Sequence, residues 1–173
     1  AAINAAKAGN INPNEVDKIT VYGSPHLKGC MRHLHPTDYA GAIHSLPYYM
    51  AAAVVDKAFS WGHVSIGKIT DPVIGRLQDK VTLVLDPERS PADYPRGGTV
   101  TIRTNSGDEY SDTVDWPKGS PSRGIKWRDV DEKYRALLPS SNLKQQNIER
   151  SLQLVHDLDT LGEISQLTLA LAT

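Results

Sequence analysis

The sequence predicts an α+β fold, a two-layer sandwich in which a small, mainly antiparallel sheet is covered on one face by helices. Two observations favour this class. Short alternating stretches, typical of strands, are separated by helical patterns in the order helix, strand, helices, strand, hairpin, helices. The length of 173 residues is enough to bury a sizeable core. We expect the α+β part to span residues 1–139 and C-terminal helices to span 140–173.

Composition and charge exclude several classes of protein. The net charge of -1 shows no basic excess for binding nucleic acid. No apolar run is long enough to span a bilayer, and the first residues lack the apolar and basic regions of a signal peptide. The single cysteine excludes an internal disulfide framework. We therefore expect a cytoplasmic protein that binds neither nucleic acid nor membrane.

The first half of the chain is organised around one central helix. Residues 1–8 form a helix closed by Gly9 and Asn10, which suit a left-handed C-cap, and residues 16–22 alternate as a strand. The central helix is predicted over 46–59, with Ser45 as N-cap and Pro47 in its first turn. Its apolar side chains form one broad stripe, and three alanines at 51–53 let another element approach closely.

The second half predicts the rest of the sheet and the last helices. Asp71 caps a helix over 72–80, and the strand over 81–86 is apolar enough to be covered on both faces. A long irregular loop follows over 87–98, and residues 99–104 and 109–116 form a hairpin. Trp127 and Leu138 lie on the inner face of a helix that ends before Pro139. Further helical segments are expected from the cap at 140–141 onward and from 162 to 171.

The start of the central helix is the first candidate site. A helix N-terminus attracts a carboxylate or phosphate, the phenol of Tyr48 can donate a hydrogen bond, and His44 has a side chain suited to proton transfer. The competing interpretation is structural. Ser45 then only caps the helix, Tyr48 packs with a satisfied hydroxyl, and His44 faces solvent. Local sequence alone favours this structural interpretation.

Two other stretches carry polar side chains of interest. The segment with His26, Cys30, His33 and His35 has four potential metal ligands, but it lacks the paired spacings of a zinc site. A loop near an active site is the better interpretation, and we expect no metal. Residues 117–124 form a basic, glycine-containing loop whose Lys118 and Arg123 would suit a carboxylate, although the spacing is not that of a P-loop. A plain connector is the alternative.

Three motifs in fixed order resemble the MmgE/PrpD family, which includes 2-methylcitrate dehydratase and cis-aconitate decarboxylase. Residues 45–56 resemble its signature S-L-P-Y-x-x-A-x-A-L-L-D-G, and residues 71–81 are similar to D-P-x-[IV]-x-x-L-x-x-K-V. The segments 105–109, 119–121 and 130–134 resemble its later turn, loop and helix. The chain departs from the family pattern at Lys57, usually glycine, Gly124, often proline, and Tyr134, usually phenylalanine.

The resemblance implies a domain organisation and a reaction. Family members begin with a helical domain that carries most of the catalytic acids and bases, and their last helices return to pack on it. We therefore expect this chain to be the C-terminal domain of a longer, cofactor-free lyase that acts on small polycarboxylates and forms a homodimer. Tyr48 matches the family's active-site tyrosine, and His44 is a secondary catalytic candidate. Ser45, Lys118 and Arg123 are the expected substrate contacts.

Three alternatives stay open. The reaction is either a dehydration of the 2-methylcitrate dehydratase type or a decarboxylation of cis-aconitate, or else an epimerisation or isomerisation that uses the same proton transfer. A different class is a stand-alone, non-catalytic binding or assembly module. The enzyme interpretation predicts an exposed apolar patch on the isolated domain. It also predicts that Tyr48→Phe lowers turnover with little loss of stability.

Overall fold

The computed structural model describes residues 1–85 and 97–172, except for the side chain of His26. The chain divides into two compact units, Ala1–Pro117 and Lys118–Thr173. The described residues form helices and a four-stranded mixed sheet joined by loops, which confirms the predicted α+β class. None of the helices in these ranges is long and apolar enough to cross a membrane.

The elements of the first unit follow the predicted order. Its helices are α1 (Ala2–Ala8), α2 (Tyr39–Ile43), α3 (Leu46–Asp56), α4 (Ile66–Ile69) and α5 (Pro72–Gln78). Its strands are β1 (Val16–Gly23), β2 (Val81–Leu85), β3 (Gly98–Thr104) and β4 (Glu109–Val114). The second unit contains α6 (Trp127–Leu137), α7 (Gln145–His156) and α8 (Ser165–Ala170). Short 3-10 segments include Pro25–Arg32, Trp61–His63 and Leu138–Ser141.

The sheet has the strand order β2-β1-β3-β4 in the residues that the structure describes. The pair β1–β2 is parallel, and the pairs β1–β3 and β3–β4 are antiparallel. Ile19 of β1 lies in register with Val81 on one side and Ile102 on the other, and all three side chains are buried. This row of branched side chains is the floor on which the helices pack.

The core lies between the sheet and helices α1, α3 and α5. Along β3, Val100 and Ile102 are buried while Arg103 is exposed, as the predicted alternation requires. Helix α1 contributes alanines, which let its backbone approach β3, β4 and α3 closely. Gly9 ends this helix in a right-handed conformation, and a Cβ there would lie 2.7 Å from the Tyr110 ring. Only Asn10 takes the left-handed conformation predicted for both residues.

Helix α3 occupies the centre of the first unit. The Tyr48 amide donates to Ser45 Oγ at 3.1 Å, which confirms the predicted N-cap. The consecutive residues 51–54 are all buried, so the helix is covered nearly all round and not along one stripe. It ends at Asp56, three residues earlier than predicted, because Lys57 takes the left-handed conformation with φ 50°.

Strand β2 is an edge strand, and the prediction that it is covered on both faces is wrong. Thr82 is exposed, and Val84 and Leu85 are each 39% exposed. Among the residues that the structure describes, the strand pairs with β1 alone, so its apolar residues do not indicate complete burial. Helix α5 before it starts at Pro72 as predicted but ends at Gln78. Most of the predicted loop over 87–98, and the predicted strand end at Asp86, lie outside the described residues.

The second unit differs from prediction at its helix ends. Ser140 and Ser141 lie in the 3-10 segment Leu138–Ser141 and do not cap a helix, because α7 begins only after Lys144. Trp127, predicted to face inward, is 55% exposed and has its ring 4.3 Å from that of His156. The predicted boundary after residue 139 stays a prediction.

Candidate functional site

Ser45 joins the start of α3 to the segment before it. Its side chain is fully buried, accepts a hydrogen bond from the Tyr48 amide and donates one to the main-chain carbonyl of His33. Of the other residues in the first turn, Pro47 has no amide hydrogen, and the Tyr49 amide donates to the Ser45 carbonyl at 3.1 Å. Few donors are therefore left at this helix start for an anion.

Tyr48 is fully buried, and its hydroxyl donates a hydrogen bond to the main-chain carbonyl of His63. Burial is the main cause that raises the pKa of this phenol above its ordinary value of 10.0. The negative charges of Asp56 and Asp71, and the neighbouring Tyr49, raise the pKa further. Tyr48 is therefore a protonated donor throughout the neutral range.

A polar cluster beside Tyr48 escaped the sequence analysis. The His63 ring is largely buried, its Nδ1 accepts from the Ser60 amide at 2.9 Å, and its Nε2 lies 3.1 Å from Asp56 Oδ2. Nε2 has no hydrogen-bond partner among the described residues, so this second contact is a close approach and not a hydrogen bond. Lys68 Nζ lies 2.5 Å from the same Asp56 oxygen. The spacing of Ser60 and His63, which suits a capping box, is the one signal that sequence offered.

His44 is exposed and ends α2 as its C-cap residue. The neighbouring Tyr49 hydroxyl donates to the Ile43 carbonyl at 3.3 Å, and this contact holds α2 against the start of α3. The structure therefore places His44 at the surface and Tyr48 in the interior. Both flank Ser45, but they present their side chains to different environments.

Two adjoining hollows form an apolar face beside α3. The larger has a volume of about 600 Å³, the smaller about 300 Å³, and they share the side chains of Leu46 and Met50. We define the apolar face as Ala2, Ile3, Leu46, Met50, Ala53 and Phe59. The described residues that line the larger hollow include no charged side chain, so this lining offers no cationic side-chain partner to a carboxylate.

Lys118 and Arg123 belong to the second unit. Lys118 Nζ lies 3.0 Å from Asp129 Oδ1 and 3.9 Å from Glu132 Oε2, so its charge is already paired. The Lys118 hydrogen bond, followed by that of the Lys126 amide, lowers the pKa of Asp129 below 3.8. Arg123 is exposed in a turn closed by the Gly124 amide, which donates to the Ser120 carbonyl at 2.7 Å.

The candidate ligand segment forms the 3-10 segment Pro25–Arg32 and the loop after it. His35 Nε2 lies 2.7 Å from Asp79 Oδ1, whereas the His33 carbonyl accepts from Ser45. Within the described ranges, no group of three His, Cys, Asp or Glu side chains is placed to hold a metal ion. The side chain of His26 is not among those described.

A family model described as the MmgE/PrpD C-terminal domain matches residues 1–159. No curated protein matches the chain. The family match covers α1 through α7 and includes the segment from Ser45 to Tyr48 on which the resemblance depends. The chain therefore belongs to the MmgE/PrpD family, and it represents that family's C-terminal domain.

Proposed function

We propose that this domain is part of a cofactor-free lyase that removes water from small polycarboxylates, as a dehydratase of the 2-methylcitrate dehydratase type. The observation that carries the proposal is the family match across the segment that holds Tyr48, a buried phenol that stays protonated. A protonated donor of this kind suits an elimination, in which a departing hydroxyl group must gain a proton.

The proposed reaction needs an acid and a base. The base removes a proton from the carbon next to a carboxylate, and the electron pair of that bond forms the new carbon–carbon double bond. The neighbouring carbon–oxygen bond breaks, and the acid protonates the leaving hydroxide to give water. We assign the acid role to Tyr48, with His44 as a second proton-transfer candidate. The base would come from a helical domain, as the resemblance implies.

Tyr48 meets this role only if its hydroxyl changes partner. In the structure it donates to the His63 carbonyl, so contact with substrate requires a shift in residues 60–64 or a rotation of the phenol. Ser45, Lys118 and Arg123 stay the proposed carboxylate contacts. Ser45 Oγ and Lys118 Nζ would likewise have to exchange their present partners, His33 and Asp129.

The apolar face supports the proposed partners of this domain. Its Met50 and Phe59 are half-buried beside the buried Leu46, so part of this apolar surface still meets water. We propose that a helical domain covers this face and that the assembled protein is a homodimer.

A second candidate function is a non-catalytic assembly module. The observation that favours it is the engagement of Ser45, Tyr48 and Lys118 with partners inside the domain. In that case Tyr48 is a core residue and the apolar face is the functional surface.

Turnover separates the two candidates. The protein expressed from its complete gene would be assayed with 2-methylcitrate, citrate and cis-aconitate, with the unsaturated product followed by its ultraviolet absorbance. Tyr48→Phe should lower kcat roughly a hundredfold or more, because the acid is lost. The matched control is Tyr134→Phe, which removes a hydroxyl bonded to Ser151 at 2.7 Å in the second unit. Full turnover in Tyr48→Phe would contradict the acid role of Tyr48, and absence of turnover in the wild type would favour the assembly module.

A further inference from the structure

The polar cluster beside Tyr48, which we call the clasp, connects the end of α3 to the turn that follows it. We define the clasp as Asp56, Ser60, His63 and Lys68. Lys68 Nζ forms an ion pair with Asp56 Oδ2 at 2.5 Å, and His63 Nε2 lies 3.1 Å from the same oxygen. The clasp therefore spans the end of α3, the 3-10 segment Trp61–His63 and helix α4.

Hydrogen bonding to Ser60 determines the tautomer of His63. The Ser60 amide is a donor only, so the His63 Nδ1 that lies 2.9 Å from it must be an acceptor. The proton of the neutral ring is then on Nε2, which faces the Asp56 carboxylate. The Phe59 ring stacks on His63 with centroids 5.0 Å apart and shields this face of the ring from water. Nδ1 is thus occupied by Ser60, and Nε2 faces Asp56 without a hydrogen bond.

The clasp acts on Tyr48 through the main chain. The ring of His63 is held by the Ser60 amide and by stacking on Phe59, so its own carbonyl is fixed in the direction from which it accepts the Tyr48 hydrogen bond. Asp56 and Tyr48 belong to the same helix, α3, so one helix contributes both the phenol and the carboxylate that anchors its acceptor. A displacement of the His63 ring would move the acceptor and release the phenol.

We propose that Asp56 and His63 are positioning residues for Tyr48, with His63 locked as the Nε2–H tautomer between Ser60 and Asp56. The catalytic consequence of this proposal rests on the proposed function, whereas the locked tautomer does not. Asp56 and His63 hold the phenol in a defined rotamer against the His63 carbonyl. When a substrate oxygen replaces the His63 carbonyl as the acceptor, the Tyr48 hydroxyl then starts from one defined orientation.

The charged and titratable groups around the phenol also favour this arrangement. Asp56, Asp71 and Tyr49 act on Tyr48, and Lys68 faces the clasp from α4 through its contact with Asp56. Loss of the Asp56 charge should lower the pKa of Tyr48, because that charge is the second cause of its increase after burial. The clasp therefore affects both the orientation and the proton affinity of the phenol.

The tautomer can be read without any substitution. In the wild-type chain labelled with ¹⁵N-histidine, long-range ¹⁵N–¹H spectra at neutral pH should show His63 with an unprotonated Nδ1 and a protonated Nε2. The signal is assigned by its absence from His63→Asn. A protonated Nδ1, or rapid averaging between tautomers, would overturn the clasp whatever the enzyme does.

Substitution of Asp56 tests the positioning role. In the protein expressed from its complete gene, Asp56→Asn should lower kcat roughly tenfold to a hundredfold with little change in KM, and Asp56→Glu should restore part of the loss. The pKa of Tyr48, read from ¹³Cζ-labelled tyrosine, should fall in Asp56→Asn. The matched control is Asp131→Asn, which breaks a similar contact, 2.9 Å from Asp131 Oδ1 to His156 Nε2, in the second unit.

The outcomes separate this inference from the proposed function. Wild-type kcat in Asp56→Asn, together with an inactive Tyr48→Phe, overturns the positioning role and leaves the lyase proposal standing. Full turnover in Tyr48→Phe overturns the catalytic assignment, and the histidine spectra then decide on the clasp alone. If Asp56→Asn does not fold, His63→Asn replaces it, because the Asn side-chain oxygen keeps an acceptor for the Ser60 amide.

Discussion

Tyr48 has two requirements to meet at once, because its hydroxyl is both a structural donor and the proposed acid. The hydroxyl is buried and bonded to the His63 carbonyl. Its removal leaves a buried acceptor without its partner, so the expectation of little stability loss in Tyr48→Phe needs revision. Turnover and stability should both fall in this variant, and they have to be measured separately.

The expected size of the stability loss follows from the desolvation of the orphaned carbonyl. Tyr48→Phe should lower the free energy of unfolding by about 1 to 3 kcal/mol. Urea unfolding of the wild type and the variant measures the difference. Tyr22→Phe is the control, since Tyr22 is 36% exposed on β1. Equal stability of Tyr48→Phe and the wild type would show that the hydroxyl is not bonded inside the core.

Lys57 adopts a backbone conformation that glycine prefers. Its φ of 50° ends α3, and its side chain reaches Asn10 Oδ1 at 2.7 Å. Lys57→Gly and Lys57→Ala both lose that exposed contact, but only glycine escapes the penalty of a Cβ in the left-handed region. We expect the glycine variant to be more stable than the alanine variant by about 1 kcal/mol, measured by urea unfolding. The reverse order would mean that residue 57 is not left-handed in solution.

Sequence predicted some site residues and missed others for a physical reason. The Ser45 cap depends on a hydrogen bond three residues along the chain, which a local motif encodes. The role of His63 depends on Asp56 and Lys68, which meet only once the turn between α3 and α4 is folded. Residues 60–69 have no helical or strand period, so the Ser60–His63 spacing was the one local sign of His63.

At the scale of elements, prediction succeeded where a segment's partners are close in sequence. The β3–β4 hairpin pairs Thr101 with Ser111 through a short turn, and its alternation was read correctly. Strand β2 was misread because its apolar residues do not encode its place at the sheet edge. That place depends on parallel pairing with β1, which lies far upstream in the chain.

Helices α6 and α7 are joined by a two-point contact between Arg135 and Glu149. Arg135 Nε donates to Glu149 Oε1 at 3.0 Å, and Nη2 donates to Oε2 at 2.9 Å. The Arg135 hydrogen bonds are the main cause that lowers the pKa of Glu149 below 4.5. A carboxylate with a lowered pKa contributes stability above its unfolded pKa and loses it as the pH falls through the folded value.

This contact predicts an acid-sensitive second unit. In Glu149→Gln the loss of stability between about pH 5 and about pH 3 should be smaller than in the wild type, because a glutamine has no carboxylate that takes up a proton in this range. Thermal unfolding across this pH range, monitored by Trp127 fluorescence in a background with Trp61→Phe and Trp116→Phe, measures the effect. Glu163→Gln is the control, since Glu163 is exposed and its carboxylate accepts a hydrogen bond from the Ser165 hydroxyl. The same acid response in both variants would contradict the prediction.

For the molecule as a whole, we expect the apolar face to promote association in solution. The half-buried apolar side chains of Ile3, Met50 and Phe59 favour association with another surface. Met50→Glu should therefore shift the chain toward smaller species in sedimentation experiments at matched concentration. Val84→Glu is the control, because Val84 is an exposed apolar residue on β2, outside the apolar face. An equal shift in both variants would show that the effect is not specific to this face.

The order of strands in the sheet has a consequence for synthesis on the ribosome. Strand β1 emerges before either of its neighbours, since β2 and β3 follow it on opposite sides. At roughly 5 to 20 residues per second, Val81 of β2 appears several seconds after Gly23, and for that time the buried side chains of Val16, Ile19 and Val21 have no sheet to join. The nascent chain thus presents an unpaired apolar strand, which is the kind of segment that chaperones protect during translation.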